Sequence, residues 1–365
     1  MVALQADRVL AAWVERVFPG ARLRQVRAFG VDDAVLTGGA TQKAVGYGDP
    51  LHLSVELADG GLKEFVFHTA HTDGFGHDRR ADRAAGMLLA FDTLSGIPSH
   101  VKAVDVGAVT GDGSGLTSLA GHAEFYLVTE YEPGTLYADE LRALRAPAQA
   151  PAALAHSVLL ARYLADLHSV KLIDEARYAR SIRDTVGSGE GIFGMLDGFA
   201  IDVAGAPRSL LNKIEILAVG WRQRLKGKHH RLSRTHGDFH PFNIVFRPDQ
   251  SLALLDASRG CVGDPADDVA ALAINFIFFA LERPSLWVSV YRPLWQRFFG
   301  SYLEASGDQE LLTVIPLFLA WRGLVVANPK WYPGLSAASR EQVLRFIEQS
   351  LSAPELDLDS ADRLF

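Results

Sequence analysis

The chain has 365 residues, is 48% hydrophobic and 22% charged, and carries a formal net charge of -7 at pH 7. This is the profile of an ordinary globular protein, long enough for two modest domains or one two-lobed unit. The acidic balance argues against nucleic acid as the main partner, because phosphate contacts need clustered Lys and Arg, and a single cysteine, Cys261, excludes an internal disulfide.

The opening text, "MVALQADRVLAAWVERVF", carries charges at Asp7, Arg8, Glu15 and Arg16. Its apolar residues Val9, Leu10, Trp13, Val14 and Phe18 recur at helical spacing, which predicts an amphipathic helix rather than an export signal. With one cysteine and no such signal, a cytoplasmic setting is expected, with Cys261 as a small buried hydrophobe. The text then turns strand-like. "AVLTGGATQKAVGYG" is a glycine-rich connection, and "LHLSVEL", "ADGG" and "LKEFVFHTA" read as two strands joined by a tight turn. "HDRRADRAAGMLLAFDTL" predicts a helix that Gly96 and Pro98 end. A turn-rich stretch leads to "EFYLVTEY", read as a buried strand, and "EPG" at 132–134 marks a break.

Beyond the break, "APAQAPAAL" reads as an Ala/Pro linker into a mostly helical half with one hairpin, "NIVF", "RPDQS", "LALLD", from Asn243 to Asp256. In "WRQRLKGKHHRLSR", residues 221–234, a helix end places its cations against the negative pole of its dipole. "VAALAINFIFFAL" is too short to span a bilayer, and "LLTVIPLFLAWRGLVVA" is broken by Pro316 and Arg322, so both are expected as core helices and no membrane partner is expected. Most of the aromatic run from Phe276 to Phe299 is read the same way. The order predicts an α+β plan in two lobes, residues 1–131 and 132–365, with ligands expected in the cleft between lobes.

The densest polar chemistry lies in "RTHGDFHPFNIVF", Arg234 to Phe246. Asn243 opens the hairpin that Asp256 closes, so the two should face one small volume. A carboxylate and an amide oxygen are enough protein for Mg2+, a hard cation that keeps waters and substrate phosphates as its other ligands. Asp238 is then free to accept a proton from a hydroxyl nucleophile. A second reading takes the alternating His236, Asp238 and His240 as ligands of zinc or a dinuclear centre in a hydrolase, which leaves Asn243 and the hairpin spacing unexplained. Upstream, Gly38, Gly39 and Thr41 in "TGGATQK" are candidates for a phosphate loop, with an ordinary hairpin turn as the alternative. "GEGIFG", residues 189–194, fits G-x-G-x-x-G, but it opens no strand–turn–helix unit and is read as a loop at the substrate entrance.

The spacing His-x-Asp-x-x-x-x-Asn followed by a strand pair and an aspartate is that of kinase machinery. "HGDFHPFN" resembles the catalytic loop of the aminoglycoside phosphotransferase and choline kinase family, small-molecule kinases with the protein-kinase-like fold. "LLDASRGCVGDPADDVA" resembles that family's next block through Asp256, Gly263, Asp264, Pro265 and Asp268, and "LARYLADLHS" resembles the helix whose "LH" ending packs beneath the loop. The resemblance implies ATP and Mg2+ as cofactors and a small-molecule hydroxyl as acceptor, with aminoglycoside, sugar and amino alcohol all open. It implies Asp238 as catalytic base, His240 near the γ-phosphate, His236 as a brace, Asn243 and Asp256 as metal ligands, and Asp264 and Asp268 as structural residues. It makes the "FYLVTEYEPG" segment, with Glu130 and Tyr131, the hinge that meets the adenine. This sequence departs from the pattern on the third strand, where His68 stands in place of the expected lysine. His68, Lys43 and Lys63 are the alternatives for that charge, and Asp82, with Asp78 beside it, is the expected partner acid. Ser258 replaces a second acid after Asp256. The missing lysine also leaves open a catalytically degenerate nucleotide-binding module.

Overall fold

The computed structural model describes residues 6–28, 50–73, 76–257 and 260–365. Gly38, Gly39, Thr41, Lys43 and Ser258 lie outside the described residues. The chain divides into two units, residues 1–129 and 130–365.

In the first unit, helical spacing of apolar residues forms α1 (Ala6–Val17), which buries Val9, Leu10, Trp13 and Val14. They pack with an antiparallel sheet of β1 (Arg22–Ala28), β2 (Leu51–Glu56) and β3 (Leu62–Phe67), in that order. Strand alternation puts Leu53 and Val55 of the central strand into this core. The β2–β3 turn closes with Leu57 N–H on the Gly61 carbonyl at 2.8 Å, and Gly60 takes φ +84° there, a conformation that suits glycine. Lys63 Nζ stands 5.8 Å from the Phe18 ring centre and 5.5 Å from that of Phe65, a cation–π contact on the α1 side. The predicted helix is α2 (Arg80–Thr93), and β4 (Gly107–Val109) and β5 (Leu116–Ser118) form a two-stranded ribbon.

One expectation fails at the unit boundary. "EFYLVTEY" is neither a strand nor buried: Phe125, Tyr126, Leu127 and Val128 are all exposed. Apolar composition supplies the side chains of a strand but not its hydrogen-bonding partner, and among the described residues no strand pairs with this segment.

The second unit begins where Gly134 passes so close to the hairpin that a Cβ there would lie 2.4 Å from the Phe246 carbonyl oxygen. Next come β6 (Thr135–Leu136), α3 (Tyr137–Ala143) and α4 (Ala150–His168). "APAQAPAAL" is therefore not a linker. Pro151 falls in the first turn of α4, where its missing N–H has no helical partner to lose, and Ala150 and Ala153 are buried. The chain continues through α5 (Glu175–Gly187), α6 (Ile192–Asp197), α7 (Arg208–Leu225) and β7 (Ser233–Arg234) to the predicted hairpin of β8 (Ile244–Phe246) and β9 (Leu252–Leu254). β6 adds a third strand that the sequence reading lacked. β10 (Val262–Gly263) pairs with β7, and Cys261, expected buried, is exposed beside it, with its carbonyl turned in to accept from Thr235 N–H at 3.1 Å.

Three long helices then build the core: α8 (Pro265–Glu282), α9 (Arg292–Ser306) and α10 (Leu311–Ala327), followed by α11 (Ala337–Ser352). Sixteen residues of α8 are buried, so it is enclosed on all sides and its first turn is a fixed reference point. α10 packs on α8 and α11, and α9 packs on α4. No described helix is long and apolar enough to cross a membrane.

A buried arginine ties this core together. Arg231 donates from Nε and Nη2 to Asp264 at 2.9 and 3.1 Å, and from Nη1 and Nη2 to Asp308 at 2.7 and 2.8 Å. Tyr178 donates to the same Asp264 at 2.9 Å. Burial alone would raise the Asp308 carboxyl, but the hydrogen bond and charge of Arg231 hold it below its ordinary range. Arg231→Met, which strands two carboxylates, should cost about 3–5 kcal/mol in urea unfolding; a loss under about 1 kcal/mol would contradict the network's role. Because the folded pKa of Asp308 is depressed, its contribution is full above the unfolded value of roughly 3.9 and declines as pH falls below it. Asp308→Asn should remove that part of the acid loss.

Candidate active site

The loop 235–243 gets its shape from one carboxylate. Asp268, in the first turns of α8 and fully buried, accepts from His236 N–H at 2.7 Å and from Gly237 N–H at 2.8 Å. The loop can offer two successive N–H groups because Gly237 takes φ +82°. His168, the last residue of α4, brings Nε2 to 3.1 Å from Asp268, and its Nδ1 lies 2.8 Å from the Tyr302 hydroxyl on α9. Burial opposes the Asp268 charge, but His168 and the two N–H groups outweigh it, so its carboxyl lies below the ordinary range. Phe239 is buried and stacks on Tyr163, with ring centres 6.0 Å apart, which drives the middle of the loop inward.

The residues between these anchors carry the polar groups. Asp238 Oδ1 accepts from Arg322 Nη1 at 2.6 Å, and its Oδ2 lies 3.5 Å from His240 Nε2. His240 Nδ1 accepts from Phe242 N–H at 3.2 Å, so the neutral ring carries its proton on Nε2, the atom on the Asp238 side. His236 Nδ1 likewise accepts from Asp238 N–H at 3.2 Å. Asn243 donates from Nδ2 to the Asp238 carbonyl at 3.1 Å. The acceptor there is a carbonyl, so the amide must present its NH2 to it, and Oδ1 remains for another partner.

Hairpin pairing extends to Asn243 and Leu255, the neighbour of Asp256. Leu255 N–H donates to the Asn243 carbonyl at 2.9 Å, which places the following residue, Asp256, at the same end. Asp256 is exposed and has φ +49°, a left-handed conformation that costs a non-glycine residue roughly 1–2 kcal/mol. An amide oxygen and a solvated carboxylate on a short hairpin fit a hard cation that keeps water and phosphate ligands. They do not suit a softer metal with nitrogen or sulfur ligands. The zinc alternative finds no geometric support: both Nδ1 atoms are engaged by backbone N–H groups, and Asp238 is engaged by Arg322. Among the described residues no three His, Cys, Asp or Glu side chains converge.

The expected nucleotide residues that the structure describes are His68, Asp82, Glu130 and Tyr131. His68 follows β3 directly and is exposed, and Asp82 accepts from Arg79 N–H at 3.0 Å as the cap of α2. Glu130 and Tyr131 are exposed in a segment without regular structure. Two of the three glycines of "GEGIFG" serve packing: a Cβ on Gly194 would fall 2.0 Å from the Gly189 carbonyl oxygen, and one on Gly191 would fall 2.5 Å from that of Asp184. The sequence reading missed Arg322, which it treated only as a break in an apolar run. The signal was present. A lone charge in a buried helix requires a carboxylate partner.

A model described as "Phosphotransferase enzyme family" matches residues 52–311. No curated protein sequence matches the chain. Among solved structures, the chain is similar to an ethanolamine kinase of Plasmodium vivax at 12% identity, covering 96% of this chain and 84% of that one with a TM-score of 0.36. It is similar to a glucosamine kinase at 14% identity, with 97% and 96% covered and a TM-score of 0.38. A glucosamine kinase in complex with glucosamine, ADP and inorganic phosphate is 14% identical, with 97% and 98% covered and a TM-score of 0.34.

The dependence of the loop on Asp268 is testable. An asparagine can accept one of the two N–H groups but turns its NH2 toward the other, leaving a buried donor orphaned at a cost of about 1–3 kcal/mol. Asp268→Asn should therefore speed amide hydrogen exchange at His236 and Gly237 well above the parent rate. Unchanged exchange at both would show that the loop holds its shape without the carboxylate.

Proposed function

The chain belongs to the phosphotransferase enzyme family, and we propose that it transfers the γ-phosphate of ATP to a hydroxyl of a small molecule at the loop 236–243. The observation that supports this reading most is the loop anchored on Asp268, in which Asn243 is hydrogen-bonded to the Asp238 carbonyl and opens the hairpin that ends at Asp256. In it, Asp238 receives the acceptor's hydroxyl, orients it and takes its proton as the new P–O bond forms. His240, with its proton on the Asp238 side, sits beside that carboxylate and toward the incoming phosphate. Asn243 Oδ1 and Asp256 would hold Mg2+, which when bound neutralises charge on the phosphate oxygens. In this reading residues 1–131 are the nucleotide-binding lobe, and Gly38, Gly39, Thr41, Lys43, His68, Asp82, Glu130 and Tyr131 are its candidate nucleotide residues. An amino sugar, a simple sugar and an amino alcohol are the acceptor classes to test.

Transfer of this kind relies on positioning and charge more than on covalent chemistry, and an anchored loop supplies positioning. ADP release from Mg2+–ATP should be stimulated by at least one of those acceptors. Asp238→Asn should cut the stimulated turnover by about 10² to 10⁴, with ATP affinity by calorimetry nearly unchanged. Near-parental turnover would remove Asp238 from the role. Asp256→Asn should abolish the effect of Mg2+ on ATP affinity, and an unaltered Mg2+ effect would place the cation elsewhere.

A further inference from the structure

Arg322 is the one charged residue among the 17 of α10 and is 5% exposed. An unpaired guanidinium would be prohibitively expensive at such a site, and even a paired one is seldom better for stability than a packed apolar side chain. Its contacts explain its presence. Nη1 donates to Asp238 Oδ1 at 2.6 Å and Nη2 to the Gly237 carbonyl at 2.9 Å, while Nη2 and Nε donate to Asp267 Oδ1 at 2.6 and 3.1 Å. One planar fork thus holds the side chain of Asp238, the backbone just before it, and a carboxylate of α8.

We infer that Arg322 is a positioning residue for phosphoryl transfer, which holds Asp238 Oδ1 and so sets the face of that carboxylate met by the acceptor hydroxyl. This rests on the reading of Asp238 given above. An aspartate's terminal torsion is broad and roughly two-fold, so its two oxygens exchange places unless one is held. With Oδ1 on Arg322, Oδ2 is the oxygen on the His240 side, 3.5 Å from Nε2. The fork is itself held. Its central carbon lies 4.0 Å from the centre of the Trp321 ring, and that indole donates to the Glu190 carbonyl at 2.7 Å. Two carboxylates against one guanidinium leave the cluster a net charge of -1, so the pinning does not neutralise the site. Lysine, a point charge with no planar fork, cannot span the same acceptors.

The test is a double-mutant cycle on the full chain, with Mg2+–ATP as donor, water as acceptor and phosphate release as the readout. Arg322→Lys should lower kcat about 10²-fold, the scale of a small misplacement of a reacting group, with KM for ATP within about twofold. In an Asp238→Asn background the same substitution should change kcat by less than about twofold, because the group it positions is already gone. In the ligand-free proteins the two substitutions should shift the thermal midpoint less than additively. Equal kcat losses in both backgrounds, or additive midpoints, would overturn the inference and leave Arg322 a structural ion pair. If Arg322→Lys does not fold, Asp267→Asn, which removes the other anchor of the fork, takes its place in the cycle. A parent protein that neither binds nor hydrolyses Mg2+–ATP would count against the phosphotransfer reading, and the ligand-free midpoints would still decide whether Arg322 holds Asp238.

Discussion

A single carboxylate without access to water organises the polar chemistry of this protein. Asp268 accepts two consecutive backbone N–H groups from the loop and a third hydrogen bond from His168. A buried charge is tolerated only when its hydrogen-bonding capacity is met, so the loop, the end of α4 and, through Tyr302, α9 all converge on it. Because α8 is enclosed on every side, the carboxylate is fixed relative to the core, and the loop inherits that rigidity. The left-handed turn at Gly237 and the inward ring of Phe239 follow from the same anchoring, and between them Asp238 is left only partly exposed.

The start of α8 divides its work among three aspartates. Asp264 caps the helix through Ala266 N–H and takes Arg231 and Tyr178; Asp267 takes Arg322; Asp268 takes the loop. All three sit at the positive pole of the helix dipole, which favours their ionised forms. Two of them meet arginines that also reach a second aspartate, Asp308 in one case and Asp238 in the other. For Arg322, burial works against the charge, and Asp267 and Asp238 outweigh it and strengthen the hold on the proton. Two buried arginines shared between four aspartates make this end of the unit rigid through direction-specific bonds, in a way that apolar packing alone does not.

What could be read in the sequence was local. The turn chemistry of "NIVF", "RPDQS" and "LALLD" determines the hairpin within fourteen residues, the spacing of apolar residues determines α1, and the "GDP" turn announces a capped helix. The α+β class followed from these. What could not be read was tertiary. Arg322 meets Asp238 across 84 positions, and Arg231 meets Asp308 across 77, and nothing in the intervening text marks either pair. Composition misled where position mattered more: prolines near 150 sit in a first helical turn rather than a linker, and the apolar "EFYLVTEY" lacks a paired strand. Cys261 was misjudged for the same reason, since its backbone, not its thiol, faces inward.

The central claim is that the anchored loop and hairpin move a phosphoryl group from ATP to a hydroxyl. Phosphorus NMR of the protein with Mg2+–ATP and a mixture of amino sugars, sugars and amino alcohols observes that transfer directly. The account predicts a new phosphomonoester resonance that grows in step with ADP. Growth of ADP and inorganic phosphate alone, with no ester from any acceptor class, would contradict it.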